Sequence, residues 1–355
     1  MPQDALATKA SEGLLEALPD QTRNVEVFDP LFHGMLPVGL GMLTPGRPCP
    51  VDLFMPLYLE SEDRVEMNQV CRAGDVFLPA WRQRLLSLHQ GHLYVPRGAA
   101  AALLSQVMQR GAEELAQRPA MLKRTYLREL AIFALWNLMH ADDDPAALAA
   151  CLVEARRLVE LISVQEEMLA RLAPFLRADP SLFSHSVNVC LTAMALARHL
   201  DFSETRVVSL GLAGLLHDLG RSRLPKGLWE KPGKLSLEET RQMQRHSKLG
   251  HEMLAAAGGL SPQVLLAVLH HHENADGSGY PGRLPATSTP RLARWLRLID
   301  AFDAMTSHRS HRKALSAFAA VQAIVADADR CFGPDITPQF VGFLTSQFVN
   351  RPPGD

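Results

Sequence analysis

From about Gly98 to its end, the chain repeats apolar residues at intervals of three and four, and that period commits it to helix. GAAAALLSQVMQRGAEELAQ, LKRTYLRELAIFALWNLMH and DPAALAACLVEARRLVELISVQEEMLARLAPFL each hold the period over several turns. HADDDP (140–145) reads as a solvated turn between the second and the third. Past Ala178 the expected helix starts reuse one device, a capping residue followed by proline at the first helical position. Asp179-Pro180, Ser261-Pro262, Thr289-Pro290 and Thr337-Pro338 all fit it. Ser236 to Glu239 spells a capping box, and Gly220 and Gly258-Gly259 fit as helix stops. The outcome is a helical domain of at least six helices with one long irregular loop, 274–289. A loop of that length inside a compact domain is usually functional.

Ahead of Gly98 the texture changes. Residues 1–24 form a polar tail, and from Val25 short apolar runs are broken by proline and glycine. VDLFMPLYLE (51–60), DVFLP (75–79) and HLYVP (92–96) read as short strands, and AWRQRLLSLHQ as one helix opened by Pro79 and closed by Gly91. The expected fold class is therefore mainly α, a helical bundle behind a small amino-terminal α+β module. We divide the chain into the tail 1–24, the module 25–115, connecting helices 116–170 and a helical domain 171–355.

Composition narrows the function. A formal charge of -2 gives no general affinity for polyanions, so neither a nucleic acid nor a membrane surface is expected as partner. Five scattered cysteines without a C-x-x-C pair fit reduced thiols, and the first twenty residues do not read as a signal peptide. No apolar run approaches the ~18 residues that cross a bilayer. The expected address is the cytoplasm. Ten of the 14 histidines fall between His185 and His311, which is where chemistry is to be sought.

His217-Asp218 ends an apolar helix, LAGLLHDLG. Burying an ionised aspartate beside a histidine costs several kcal/mol unless both are paired or bind a cation. Taken alone, the pair is equally a helix end with Asp218 bonded to backbone. HHHENADGSGYPGR (270–283) is harder to explain without a ligand. Three histidines close the apolar helix PQVLLAVLHHH, whose carboxy-terminal end favours a cation. Neutral imidazoles are good ligands for Fe, Mn, Ni or Zn. His185, His246 and Asp300 complete a candidate set, although each alone is as readily a partly buried polar residue. Asp300 and Asp303 share a helix face, so one can bind metal while the other holds a ligand in place.

The order HSVNV (185–189), HDLG (217–220), KPGKL (231–235), MQRHSKLG (243–250), HHENADGSGYP (271–281) and IDAFDAMTSHRSHR (299–312) resembles the HD-GYP family over roughly residues 165–350. The resemblance implies a helical phosphodiesterase acting on cyclic di-GMP, placed behind a variable amino-terminal module that regulates it or binds a protein partner. It implies one metal on His185, His217, Asp218 and Asp300. Asp218 would bridge to a second metal on His246, His271 and His272. Iron or manganese is expected, with nickel or zinc as alternatives. Gly279 and Tyr280 would shape the guanine and phosphate pocket, while Arg309 and Arg312 would hold substrate phosphates.

Two departures from the family pattern bear on the reaction. Arg221 stands where the family has lysine, so the charge survives on a group that donates protons poorly. Ser181 stands where some members carry a glutamate for a third metal, which predicts two metals. The implied reaction is in-line hydrolysis to the linear dinucleotide, with a second cut to GMP left open. The reading from another class is a cyclic di-GMP receptor with little turnover. An HD phosphohydrolase of ordinary nucleotides would leave the GYP loop without a purpose.

Overall fold

The computed structural model describes residues 34–59, 64–87, 91–141, 144–170, 182–229, 231, 233–307 and 313–348. By its internal contacts the chain divides into two compact units, Met1–Asn137 and Leu138–Asp355.

In the first unit the short apolar runs pair into a four-stranded antiparallel sheet. Its strands are β1 (Met35–Gly39), β2 (Leu53–Leu59), β3 (Arg64–Cys71) and β4 (His92–Pro96), in the spatial order β1-β4-β2-β3. Alternation puts Leu36, Val38, Leu53, Met55, Leu93 and Val95 inside. The expected strand DVFLP does not form. Val76 makes only an isolated bridge to Pro48, because Gly74 at positive φ and the Asp75 side chain fold this segment into a turn. Helix α1 (Pro79–Ser87) opens at Pro79 as expected, and α2 (Arg97–Gln117) and α3 (Ala120–Met139) follow. Cys49 and Cys71 are buried side by side as free thiols.

The elements described in the second unit are helices: α4 (Pro145–Ser163), α5 (Glu166–Ala170), α6 (Leu182–His199), α7 (Glu204–Leu216), α8 (Lys226–Trp229), α9 (Leu237–Gln244), α10 (His246–Ala257), α11 (Pro262–His270), α12 (Arg291–Thr306), α13 (Ala317–Ala326) and α14 (Thr337–Phe348). The expected single helix over 145–176 is interrupted at Val164-Gln165, and residues 171–176 lie outside the described set. Asp144 caps α4 by accepting from the amide of Ala146, and Ser261 caps α11 by accepting from Val264. Ser236 and Glu239 form the capping box in full. Two expected caps differ. Thr289 donates its hydroxyl to the carbonyls of Leu284 and Pro285, and Thr337 is already helical and donates to Gly333. In both, a loop carbonyl within reach outcompetes the helix amides. Asp179-Pro180 lies outside the described residues.

Helix α6 is the axis of this unit. Every residue from Phe183 to Ala197 is buried, because α7 and α12 pack along it and α5 and α14 cover its remaining faces. Phe302, Phe340 and Phe343 stack where α12 approaches α14, each worth about 1.5–3 kcal/mol of apolar burial. Arg294 and Asp335 close that contact with an ion pair. Among the described residues no helix is long and apolar enough to cross a membrane.

Candidate metal centre

Five histidines and two aspartates of the second unit converge in its interior. His185 comes from the first turns of α6, His217 and Asp218 from the end of α7, and His246 from the first residue of α10. His271 and His272 follow α11, and Asp300 lies on α12. In place of a helix stop, Gly220 sits inside a tight 3-10 turn, Leu219–Arg223, that follows Asp218. A Cβ there would collide with the carbonyl of His246 and the amide of Gly250. Only glycine lets that turn close on α10 and bring Asp218 to His246.

The donor atoms group in threes, His185–His217–Asp300, His217–Asp218–His271 and His246–His271–His272. Within each group they lie no more than 4.8 Å from one another. Donors on one first-row ion, at metal–ligand distances of about 2.0–2.2 Å, stand roughly 3–4 Å apart. Asp218 lies between the outer groups. Its Oδ2 is 3.3 Å from Nε2 of His217 and 3.9 Å from Nε2 of His185, and its Oδ1 is 3.4 Å from Nε2 of His246. Asp300 places Oδ1 3.1 Å from Nε2 of His185 and Oδ2 3.9 Å from Nδ1 of His272.

Hydrogen bonding fixes which imidazole nitrogen faces inward. Nδ1 of His217, His246 and His271 each donates to a carbonyl three residues earlier, Gly214, Met243 and Val268, at 2.7–2.8 Å. A carbonyl only accepts, so the proton is on Nδ1 and the lone pair on Nε2. Nε2 of His246 and Nε2 of His271 then face each other at 3.2 Å with no proton between them. Nε2 of His185, Nε2 of His217 and both oxygens of Asp218 are buried without a hydrogen-bond partner. Two opposed lone pairs beside an unsatisfied carboxylate repel one another, and a divalent cation between them reverses the sign of that interaction. The donor set therefore fits divalent metal ions.

The titration behaviour agrees. Burial lowers the pKa of His246 to about 4 and pushes His271 and His272 well below the usual imidazole range, so all three are neutral donors. Burial would raise Asp218 and Asp300. Arg221 and His217 outweigh it at Asp218, and His185 outweighs it at Asp300, so both are held ionised, well below the carboxylate range. His185 is the exception: burial would lower it, but the carboxylates of Asp300 and Asp303 raise it to about 10, so a cation bound there would displace the proton from its Nε2. Arg221 places Nε 2.8 Å from Oδ1 of Asp218, an ion pair whose angle does not make a hydrogen bond.

Asp303 settles the choice between the two α12 carboxylates. Its Oδ2 accepts from Nδ1 of His185 at 2.7 Å and from Ser307, and its Oδ1 accepts from Asn188 at 2.9 Å. Asp303 therefore aims Nε2 of His185 inward. Asp303→Asn is expected to keep the fold, since the shape is conserved, and to weaken metal binding about 10–100-fold. Metal titration followed by calorimetry checks it, and wild-type affinity would remove the orienting role.

The loop after His272 folds over the cluster. Gly279 approaches the backbone of His272 and Asn274 too closely for any Cβ, and the amide of Tyr280 donates to the carbonyl of His272. The Tyr280 ring lies 4.7 Å from that of His272, so it walls the site. Buried Glu273 accepts from the amides of Gly282 and Leu284 and holds the far side of the loop. The sequence reading did not single out Asn188 or Glu273. Asn188 had a signal, one turn after His185 on the same face. Glu273 stands in the HHENADGSGYP motif, but its partners are backbone amides, which the motif does not name. Arg309, Arg312 and Ser181 lie outside the described residues.

Residues 163–336 match the HD domain family. A cyclic di-GMP phosphodiesterase of Pseudomonas aeruginosa is 40% identical over 125 residues, covering 35% of this chain and 30% of the relative. A cyclic di-GMP phosphodiesterase response regulator of Xanthomonas campestris pv. campestris is 35% identical over 155 residues, 42% of this chain and 41% of the relative. The chain thus spans less than half the length of these curated relatives. Among solved structures, an HDG"Y"P protein from Bdellovibrio bacteriovorus superposes with a TM-score of 0.63 at 16% identity, covering 88% of this chain and 99% of that one, a likeness of fold.

Proposed function

We propose that residues 163–336, which match the HD domain family, form a domain of the HD-GYP type, and from that premise that the chain is a metal-dependent phosphodiesterase of cyclic di-GMP. The observation that carries the reading is the opposed, unprotonated Nε2 atoms of His246 and His271 beside the unsatisfied carboxylate of Asp218. The substrate is the one named for the Pseudomonas and Xanthomonas relatives.

The centre would hold two divalent cations. His185, His217, Asp218 and Asp300 would take one, and His246, His271 and His272 the other, with Asp218 shared. Its mix of imidazole and carboxylate suits iron or manganese, with nickel or zinc as alternatives. Such ions supply Lewis acidity and a nucleophile at neutral pH. The chain's own residues do the rest. Asp303 and the carbonyls of Gly214, Met243 and Val268 keep the imidazole lone pairs aimed inward. Arg221 keeps Asp218 ionised and places positive charge where a phosphoryl group gains negative charge. Tyr280, with the Gly279 turn, forms the wall against which a guanine would rest, and Arg309 and Arg312 would hold phosphate. The products would be the linear dinucleotide and, after a second cut, GMP.

We assign the amino-terminal module, 25–115, a regulatory or partner-binding role ahead of the catalytic domain, 171–355. The work would be done in the cytoplasm, where five free thiols would stay reduced. The deciding experiment loads the full chain with manganese or iron under exclusion of oxygen and follows cyclic di-GMP by chromatography. Linear product is expected. Tight binding without product would move the protein to the receptor class, and neither binding nor product would end the proposal.

A further inference from the structure

One basic side chain beside the centre has no acidic partner among the described residues. Arg297 lies one turn before Asp300 on α12, so the two leave the same face of the helix, roughly 4.5 Å apart along its axis. Its Nε and Nη2 both stand 3.2 Å from the amide oxygen of Asn274, two residues past His272. The guanidinium carbon lies 5.3 Å from the centre of the Phe332 ring. One edge and one face of the group are thus fixed, and the Nη1 edge is left.

Arg198, Arg221, Arg294 and Arg330 in the same unit are each paired with a carboxylate. Among the described residues no carboxylate lies within ion-pair reach of Arg297. Asn274 positions its charge without neutralising it. A preorganised, unneutralised guanidinium at the rim of a metal cluster is built to take an anion.

Resting on the phosphodiesterase reading, we propose that Arg297 binds the phosphate of the cyclic dinucleotide that is not being cut. The scissile phosphate belongs at the His/Asp cluster. Arg297 stands one helical turn away from Asp300 and contributes no atom to that cluster, the placement a second phosphate on the same ring requires. Arg297 is then a binding residue specific to substrates with two phosphodiesters.

The test compares cyclic di-GMP with bis-p-nitrophenyl phosphate, which carries one phosphodiester. Arg297→Gln is expected to raise KM for cyclic di-GMP about 10-fold or more, the scale of one charge-assisted contact, with kcat and metal content little changed. Turnover of bis-p-nitrophenyl phosphate should stay at the wild-type level, and Arg297→Lys should recover part of the lost affinity. Equal losses on both substrates would overturn the proposal, since a structural defect or a contact to the reacting phosphate predicts that. Calorimetric titration of the linear guanine dinucleotide into wild type and Arg297→Gln gives a readout free of turnover. Weaker binding to the variant is expected, and equal affinity sinks the inference. Failure of the wild-type protein to hydrolyse cyclic di-GMP would instead strike the proposed function, leaving the titration to decide on Arg297.

Discussion

Asp218→Asn is expected to reduce bound metal from about two equivalents per chain to one or fewer, and to lower hydrolysis of cyclic di-GMP by more than ~100-fold. That figure is the upper end for removing a group one step outside a metal's ligands, and Asp218 stands closer than that. Its two oxygens face opposite imidazoles, Oδ2 toward His217 and Oδ1 toward His246, so the neutral amide takes charge from both halves of the cluster at once. Asparagine has the same outline, and its packing at the end of α7 should survive. Arg221 would lose its only carboxylate partner among the described residues and be left as an uncompensated positive charge at the centre. Elemental analysis and product formation on the same samples check the prediction. A variant with two metals and near wild-type turnover would show that the carboxylate is not shared.

Removing metal from the wild-type protein should lower its melting temperature by roughly 10 °C. A ligand held at 1,000 times its Kd stabilises by about 4 kcal/mol, and for a domain of 150–250 residues each kcal/mol moves the midpoint about 2–4 °C. The source of the effect is visible in the cluster. Without a cation, Nε2 of His246 and Nε2 of His271 stand 3.2 Å apart as bare lone pairs, and the oxygens of Asp218 have no donor. The loss should be carried by unit Leu138–Asp355, whose α6, α7, α10, α11 and α12 all meet at the site. Thermal melts before and after chelation, and again after manganese is restored, measure it. Superimposable melts would mean that no cation is bound there.

Helices were legible along most of the second unit because their apolar period does not depend on what they pack against. Breaks were less so. The stop at Val164-Gln165 falls inside an unbroken apolar pattern, and neither residue is a helix breaker. The segment DVFLP has the composition of a strand, but its backbone bonds to residues 46–49 around one isolated bridge, so it stays outside the sheet. Thr289 and Thr337 have capping side chains, but carbonyls within hydrogen-bond reach claimed their hydroxyls.

The sequence by itself determined which residue types were available to the site and the order in which they come, from His185 through His217-Asp218, His246 and His271-His272 to Asp300. It also determined the helices that carry them, since capping, apolar period and glycine placement are properties of neighbouring residues. Tertiary structure alone decided which nitrogen of each histidine faces inward, that Asp303 orients His185 while Asp300 faces its Nε2, and that Arg297 keeps an unneutralised charge at the rim. A proton's position and a charge's compensation depend on atoms within a few ångströms. The chain brings those atoms together from positions up to 118 residues apart, as between His185 and Asp303, only once it has folded.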